Sequence, residues 1–137
     1  MRKHATVVLA TLLMVGGCTS EPGEITGANA CRGPAVAEVA TGTTPLMTWT
    51  PACTVGYLSV LDSQFAPTWT IVDSGPSLPP LNGIRSGVTY GTVPPEAQLF
   101  GAPAAPLAPG GKYYLLLRVA GDHGGPGLLV DTVTFVP

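Results

Sequence analysis

Asp122 and His123 stand side by side in the run Gly121-Asp122-His123-Gly124-Gly125-Pro126-Gly127. An imidazole beside a carboxylate is the least that acid–base chemistry or metal ligation requires, but a metal site draws on three or four convergent protein ligands. The other histidine, His4, lies in an N-terminal segment discussed below. Asp62, Asp73, Asp122 and Asp131 could in principle gather around calcium, yet they fall in different turns and no D-x-D-x-D-G run joins them. No G-x-S-x-G, H-E-x-x-H or phosphate-binding glycine loop occurs. Gly110-Gly111-Lys112 opens a strand and so lacks the helix N-terminus that holds phosphate. The expectation is a non-catalytic protein with no cofactor and no metal, in which Asp122 and His123 form a solvated turn open to an interaction. A metal-dependent factor or enzyme built on this pair is the alternative.

The cysteines Cys18, Cys31 and Cys53 are the remaining reactive groups, and the context of the first is informative. Arg2 and Lys3 precede an apolar run from Ala5 to Val15, 11 residues long. A membrane-spanning helix needs roughly 20 apolar residues, so this run reads as the core of a signal peptide. It ends in Val15-Gly16-Gly17-Cys18, which resembles a bacterial lipobox: an aliphatic residue, two small residues and the cysteine that is lipidated. The resemblance implies a diacylglycerol thioether on Cys18, cleavage just before it, and membrane lipid as a partner through that residue. Thr19, where an Asp would hold such proteins at the inner membrane, implies the outer membrane. Ala28-Asn29-Ala30 offers an ordinary cleavage site as the alternative, but it lies well past the apolar run.

With Cys18 assigned to lipid, Cys31 and Cys53 remain as an even pair in an oxidising compartment. Residues 35–41 and 45–50 read as strands around a Thr-Gly-Thr-Thr turn. Pairing residue 41 with residue 44 makes partners sum to about 85, and Cys31 with Cys53 falls within one of that register, close enough for a bridge.

Loss of residues 1–17 leaves four basic residues against all eight acids, a formal net charge of −4. No basic stripe exists, so nucleic acid is excluded as a partner. Gly and Pro are 18 and 15 of the 137 residues, and both disfavour helices. Such a composition suits short strands joined by tight turns.

Residues 19–33 lack any period and read as a tether, so the division is signal peptide 1–17, lipidated tether 18–33 and one domain 34–137. Strand-like runs cover 35–41, 46–50, 55–62, 68–73, 84–90, 113–119 and 128–136, separated by a Pro/Gly-rich loop at 74–83 and a Pro/Ala-rich crossing at 92–109. Tyr113, Leu115, Leu117 and Val119 share one face and should be core; Lys112, Tyr114, Leu116 and Arg118 share the other. In the last strand Val133 and Phe135 should face inward and Thr132 and Thr134 outward. Asp131 falls on the inward parity, at a wet rim or beside a bulge.

The run Leu107-Ala108-Pro109-Gly110-Gly111-Lys112-Tyr113, with Leu115 and Leu117 after it, resembles the tyrosine corner of fibronectin type III domains. There the tyrosine hydroxyl bonds the backbone a few residues upstream. Trp49-Thr50-Pro51 is similar to the W-x-P that ends strand B in that family, with Leu58 and Val60 then packing inward from strand C. The resemblance implies an all-β, seven-stranded immunoglobulin/fibronectin type III-like β-sandwich. It carries no activity with it, and no Arg-Gly-Asp tripeptide is present. Trp69, Tyr57, Tyr90, Phe100 and Tyr114 could form an aromatic recognition patch, core packing being the stronger reading for Trp69 and Tyr57. Tyr114 and Arg118 share an outward face and, with Asp122 and His123, are the candidate interaction residues. The function expected is an envelope lipoprotein that binds or spaces an envelope protein or glycan; a structural subunit of an envelope complex is a further alternative.

Overall fold

The computed structural model describes residues 28–75, 82–121 and 126–137. Cys18, Asp122 and His123 therefore lie outside the described residues, as do the segments expected to be signal peptide (1–17) and most of the expected tether (18–33). Eight strands follow one another: β1 (Val36–Val39), β2 (Leu46–Thr50), β3 (Tyr57–Leu61), β4 (Pro67–Asp73), β5 (Val88–Thr89), β6 (Ala97–Leu99), β7 (Tyr113–Ala120) and β8 (Pro126–Phe135). No helix occurs among the described residues. The strands form two antiparallel sheets, one of order β1-β2-β5 and one of order β6-β4-β3-β7-β8.

The alternation in the sequence explains which faces meet. Along β7 buried and half-buried residues alternate, and Leu115 and Leu117 are fully enclosed. Each such leucine contributes about 1.5–3 kcal/mol through removal from water. Leu58 and Val60 from β3, and Trp69 and Ile71 from β4, join the same cluster as Ala37, Met47, Trp49 and Val88 of the smaller sheet. The two sheets thus pack face to face over one core, giving a sandwich-like, two-layer body. Phe135 is buried and Val133 half-buried, while Thr132 and Thr134 are exposed, as their parity requires.

Among the described residues the strand count is eight, one more than the seven expected. The additional strand, β6, lies inside the Pro-rich crossing. Three residues between Pro95 and Pro103 leave no periodicity to read, yet Ala97, Gln98 and Leu99 pair with Asp73, Val72 and Ile71. Conversely, the run 84–90 is broken in two. Ile84 exchanges both backbone bonds with Val55 at 3.0 Å in an isolated bridge, whereas Val88 and Thr89 pair with Met47 and Leu46 of the smaller sheet. Gly87, at φ +101°, supplies the backbone conformation for the turn between that bridge and β5. Ser86 Oγ accepts the Trp49 N–H at 2.8 Å in place of a ladder partner.

Asp131 sits beside a bulge. The β7–β8 register slips between the pairs Leu117↔Asp131 and Arg118↔Leu129, so Val130 is the extra residue and is buried. The Asp131 carboxylate then accepts the Ala37 N–H at 2.7 Å and the Thr132 N–H at 2.8 Å. It ties β1, the edge of one sheet, to β8, the edge of the other.

Candidate functional site

Cys31 and Cys53 form a disulfide with a Cα–Cα distance of 4.9 Å, which closes the pair expected from the sequence. The hairpin register beside it sums to 86, as in Val36↔Thr50, one more than the turn alone suggested. The bridge lies just outside that ladder, where Ala30 pairs with Thr54 in parallel.

Leu107, Ala108, Gly110, Gly111 and Tyr113 lie together at the start of β7. Tyr113 is 8% exposed and its hydroxyl accepts the Ala108 N–H at 2.8 Å, five residues upstream. Leu107 is buried beneath it, Gly110 turns the chain at φ +77°, and the Gly111 N–H bonds Ala108 O at 2.9 Å. Pro109 completes this turn. The Tyr113 ring lies 5.8 Å from that of Phe135. Trp49 is buried and its Nε1–H donates to Cys53 O at 2.7 Å, tying the indole to the disulfide segment.

One end of the body carries a polar lock that the sequence did not disclose. Asn82 is 3% exposed, and its amide pairs with the Ala120 backbone in both directions, donating to the carbonyl at 3.0 Å and accepting the N–H at 2.6 Å. Thr54 Oγ1 donates to Asn82 O at 2.5 Å. Gly56 passes so close that a Cβ there would stand 2.7 Å from Asn82 Oδ1 and 2.8 Å from Ala120 N. The Asn82-Gly83 pair reads as an ordinary turn signal, and nothing in a single sequence separates a buried asparagine from a solvated one. The lock nevertheless joins the bases of the 74–83 and 121–127 segments, both expected to be exposed loops.

The three described candidate carboxylates each accept backbone N–H groups. Asp62 Oδ1 accepts the N–H groups of Gln64 and Ala66, Asp73 Oδ1 accepts that of Gly75, and Asp131 holds Ala37. Among the described residues no three His, Cys, Asp or Glu side chains converge as a metal site would need.

The aromatic candidates divide between the two faces of the larger sheet. Trp69 and Tyr90 are core residues in edge contact at 5.3 Å, and the Tyr90 hydroxyl donates to Ala105 O at 2.5 Å. Burial raises the Tyr90 pKa, and a hydrogen bond with Thr68 opposes that rise in part. Tyr57, for which core packing was the stronger expectation, is half-buried on the outer face, because Leu58 and Val60 take the inward parity of β3. Tyr114 is also outward and half-buried. Its ring stacks on Phe65 at 4.7 Å, with Lys112 Nζ 5.3 Å from its centroid.

On this outer face lies a cleft of about 760 Å³. Its lining includes Tyr57 and Ser59 from β3, Thr68 and Thr70 from β4, Arg118 from β7 and Phe100 from the segment after β6. Backbone bonds hold that segment along the sheet edge: Phe100 N–H to Thr70 O at 2.9 Å and Ala105 N–H to Thr68 O at 3.2 Å. Phe100 is 64% exposed, and the Thr70 hydroxyl donates to Ser59 Oγ at 3.1 Å. Arg118 thus stands in a concavity, while Tyr114 belongs to the separate stack with Phe65. Comparison with protein-family models, with curated proteins and with solved structures finds no match for this chain.

Proposed function

We propose that the protein is a non-catalytic lipoprotein of the bacterial cell envelope, carrying a fibronectin type III-like domain that binds an envelope ligand. The observation that carries this reading is the Cys31–Cys53 disulfide. It accounts for two of three cysteines and fits an exported chain. Cys18 is left as a single thiol at the end of the Arg2-Lys3 and apolar signal pattern. Acyl chains on that sulfur would anchor the protein, each buried CH₂ adding about 0.8 kcal/mol. Outer-membrane placement, facing the periplasm or the surface, follows from Thr19 by the same resemblance.

The fibronectin type III-like assignment has three supports. The order β1-β2-β5 against β3-β7-β8 agrees with strands A-B-E and C-F-G of immunoglobulin-like sandwiches. The Tyr113–Ala108 bond has the geometry of a tyrosine corner, and Trp49 packs in the core beside Pro51. The outer face of the larger sheet is favoured over the 74–83 and 121–127 segments as the binding surface. The described bases of those segments, Asn82 and Ala120, are bonded to each other, and Asn82 to Thr54, which pairs with Ala30 at the end where the tether would join.

Cell fractionation with the Cys18→Ser chain tests the anchor. The variant is expected to lose cleavage before residue 18 and to leave washed membranes, while the parent remains and carries the mass of its acyl chains. Cleavage at the same point with equal retention would overturn the reading.

A further inference from the structure

We propose that the cleft on the outer face of the larger sheet is a binding site for a small carboxylate carried on a ring-sized apolar body, with Arg118 receiving the anion and Phe100 the ring. This deepens, and rests on, the reading of the domain as a binding module. The first ground is charge. The protein is acidic as a whole, with eight acids against six bases. Yet the outward positions of β3 (Tyr57, Ser59, Leu61), β4 (Thr68, Thr70, Val72) and β7 (Tyr114, Leu116, Arg118) include no carboxylate. At these positions Arg118 is the one charge, a cation on an anionic molecule, which favours an anion over a cation or a neutral ligand.

The second ground is the state of Arg118. It is half-buried, and its guanidinium has five N–H donors in a planar fork suited to carboxylate. Among the described residues no carboxylate pairs with it, and no side-chain bond satisfies the fork. A guanidinium removed partly from water without an internal partner is prepared for an external one. Phosphate would satisfy the charge alone, but the walls favour a ligand with an apolar body. The exposed Phe100 ring is held at the rim by the main-chain bond to Thr70 O, and the volume of about 760 Å³ suits one or two rings. The linked hydroxyls of Ser59 and Thr70 can then read polar substituents on that body.

Equilibrium dialysis of the purified full chain tests the site with two acids, phenylacetate and cyclohexanecarboxylate, each beside its neutral amide. At least one acid is expected to bind ten-fold or more tightly than its amide. The tighter acid separates an aromatic from a saturated ring as the body that carries the carboxylate. Arg118→Gln should abolish the preference for acid over amide. Phe100→Ala, at an exposed position that the fold does not need, should weaken the acid several-fold and keep the preference. Lys112→Gln, a cation outside the cleft, should change neither. Equal binding of acid and amide, a preference that survives in Arg118→Gln, or one lost equally in Lys112→Gln would overturn the proposal. The Cys18→Ser chain should bind the same acid unchanged, so a failed cleft and a failed anchor are read on different variants.

Discussion

Tyr113→Phe removes one oxygen from the corner and leaves the ring, so it isolates the bond to Ala108. The ring keeps its contact with Phe135 and its place over Gly111, where even a Cβ would come within 2.9 Å of it. What is lost is an N–H···O bond of 2.8 Å. Were the orphaned N–H left dry, the penalty would be about 1–3 kcal/mol. Ala108 is exposed, however, so water can replace the hydroxyl. The loss then falls to the net worth of a neutral hydrogen bond, about 1 kcal/mol. For a domain of this size that lowers the melting temperature by roughly 4–8 °C. With a urea slope of about 1–1.5 kcal/mol per molar, the midpoint falls by roughly 0.7–1 M. Equilibrium urea unfolding of the oxidised mature chain, followed by tryptophan fluorescence, measures it. An unchanged midpoint at unchanged slope would show that the bond contributes nothing and would remove the main support for the corner.

Non-reducing mass spectrometry should find the mature chain two protons lighter than its reduced form, and opening the Cys31–Cys53 link, which spans 22 residues, should cost about 3 kcal/mol of stability in urea unfolding. Asn82→Ala strands both backbone groups of Ala120 in a buried site; a loss of about 2–4 kcal/mol and faster amide exchange at Ala120 are expected. Burial raises the Tyr90 pKa, so the folded state holds that proton more tightly than the unfolded chain. The associated stability is whole below the unfolded value of about 10 and is lost as pH rises through the folded value; Tyr90→Phe should blunt this alkaline loss in urea midpoints taken across the range. Elemental analysis of the purified protein should find no stoichiometric metal. A bound ion that disappears in His123→Ala would instead establish a metal-dependent factor.

What could be read from the sequence follows from the length of each periodic run. β7 and β8 carry eight and ten residues, long enough for alternation to name their inward faces. Trp49 and the run from Leu107 to Tyr113 were legible because a turn, a ring and a strand start occur at fixed spacing. β6 was not, since three residues among prolines have no period. Nor was the split at Gly87, because Ile84 and Val88 look like one apolar strand until the turn between the Val55 bridge and β5 is known. The outer cleft was half legible. Parity placed Arg118 outward, but the overhang of Phe100 depends on backbone bonds to Thr70 and Thr68 across some 30 residues. The Asn82 lock depends on a partner 38 residues away and on the missing side chain at Gly56.

The two ends of the body are unequal, and the inequality suits an anchored domain. At the end where the proposed tether would join, Ala30 pairs with Thr54, the Cys31 N–H bonds Thr54 O at 2.9 Å, and the disulfide joins Cys31 to Cys53. A pull on the N-terminus would otherwise fall on β1, an edge strand of four residues that could peel from β2 one bond at a time. The covalent link passes the load to Cys53 before β1 is reached, and so to the connection between β2 and β3. β3 lies at the centre of the five-stranded sheet, hydrogen-bonded on both sides by β4 and β7. Asn82 and Thr54 brace the same region across the two sheets. The strand that receives the load also carries Tyr57 and Ser59, two walls of the outer cleft. If the proposed anchor holds, attachment and the candidate binding face would share β3, which is paired on both sides. A ligand seated against Arg118 would be linked to the tether through the centre of the sheet, with no exposed edge between them.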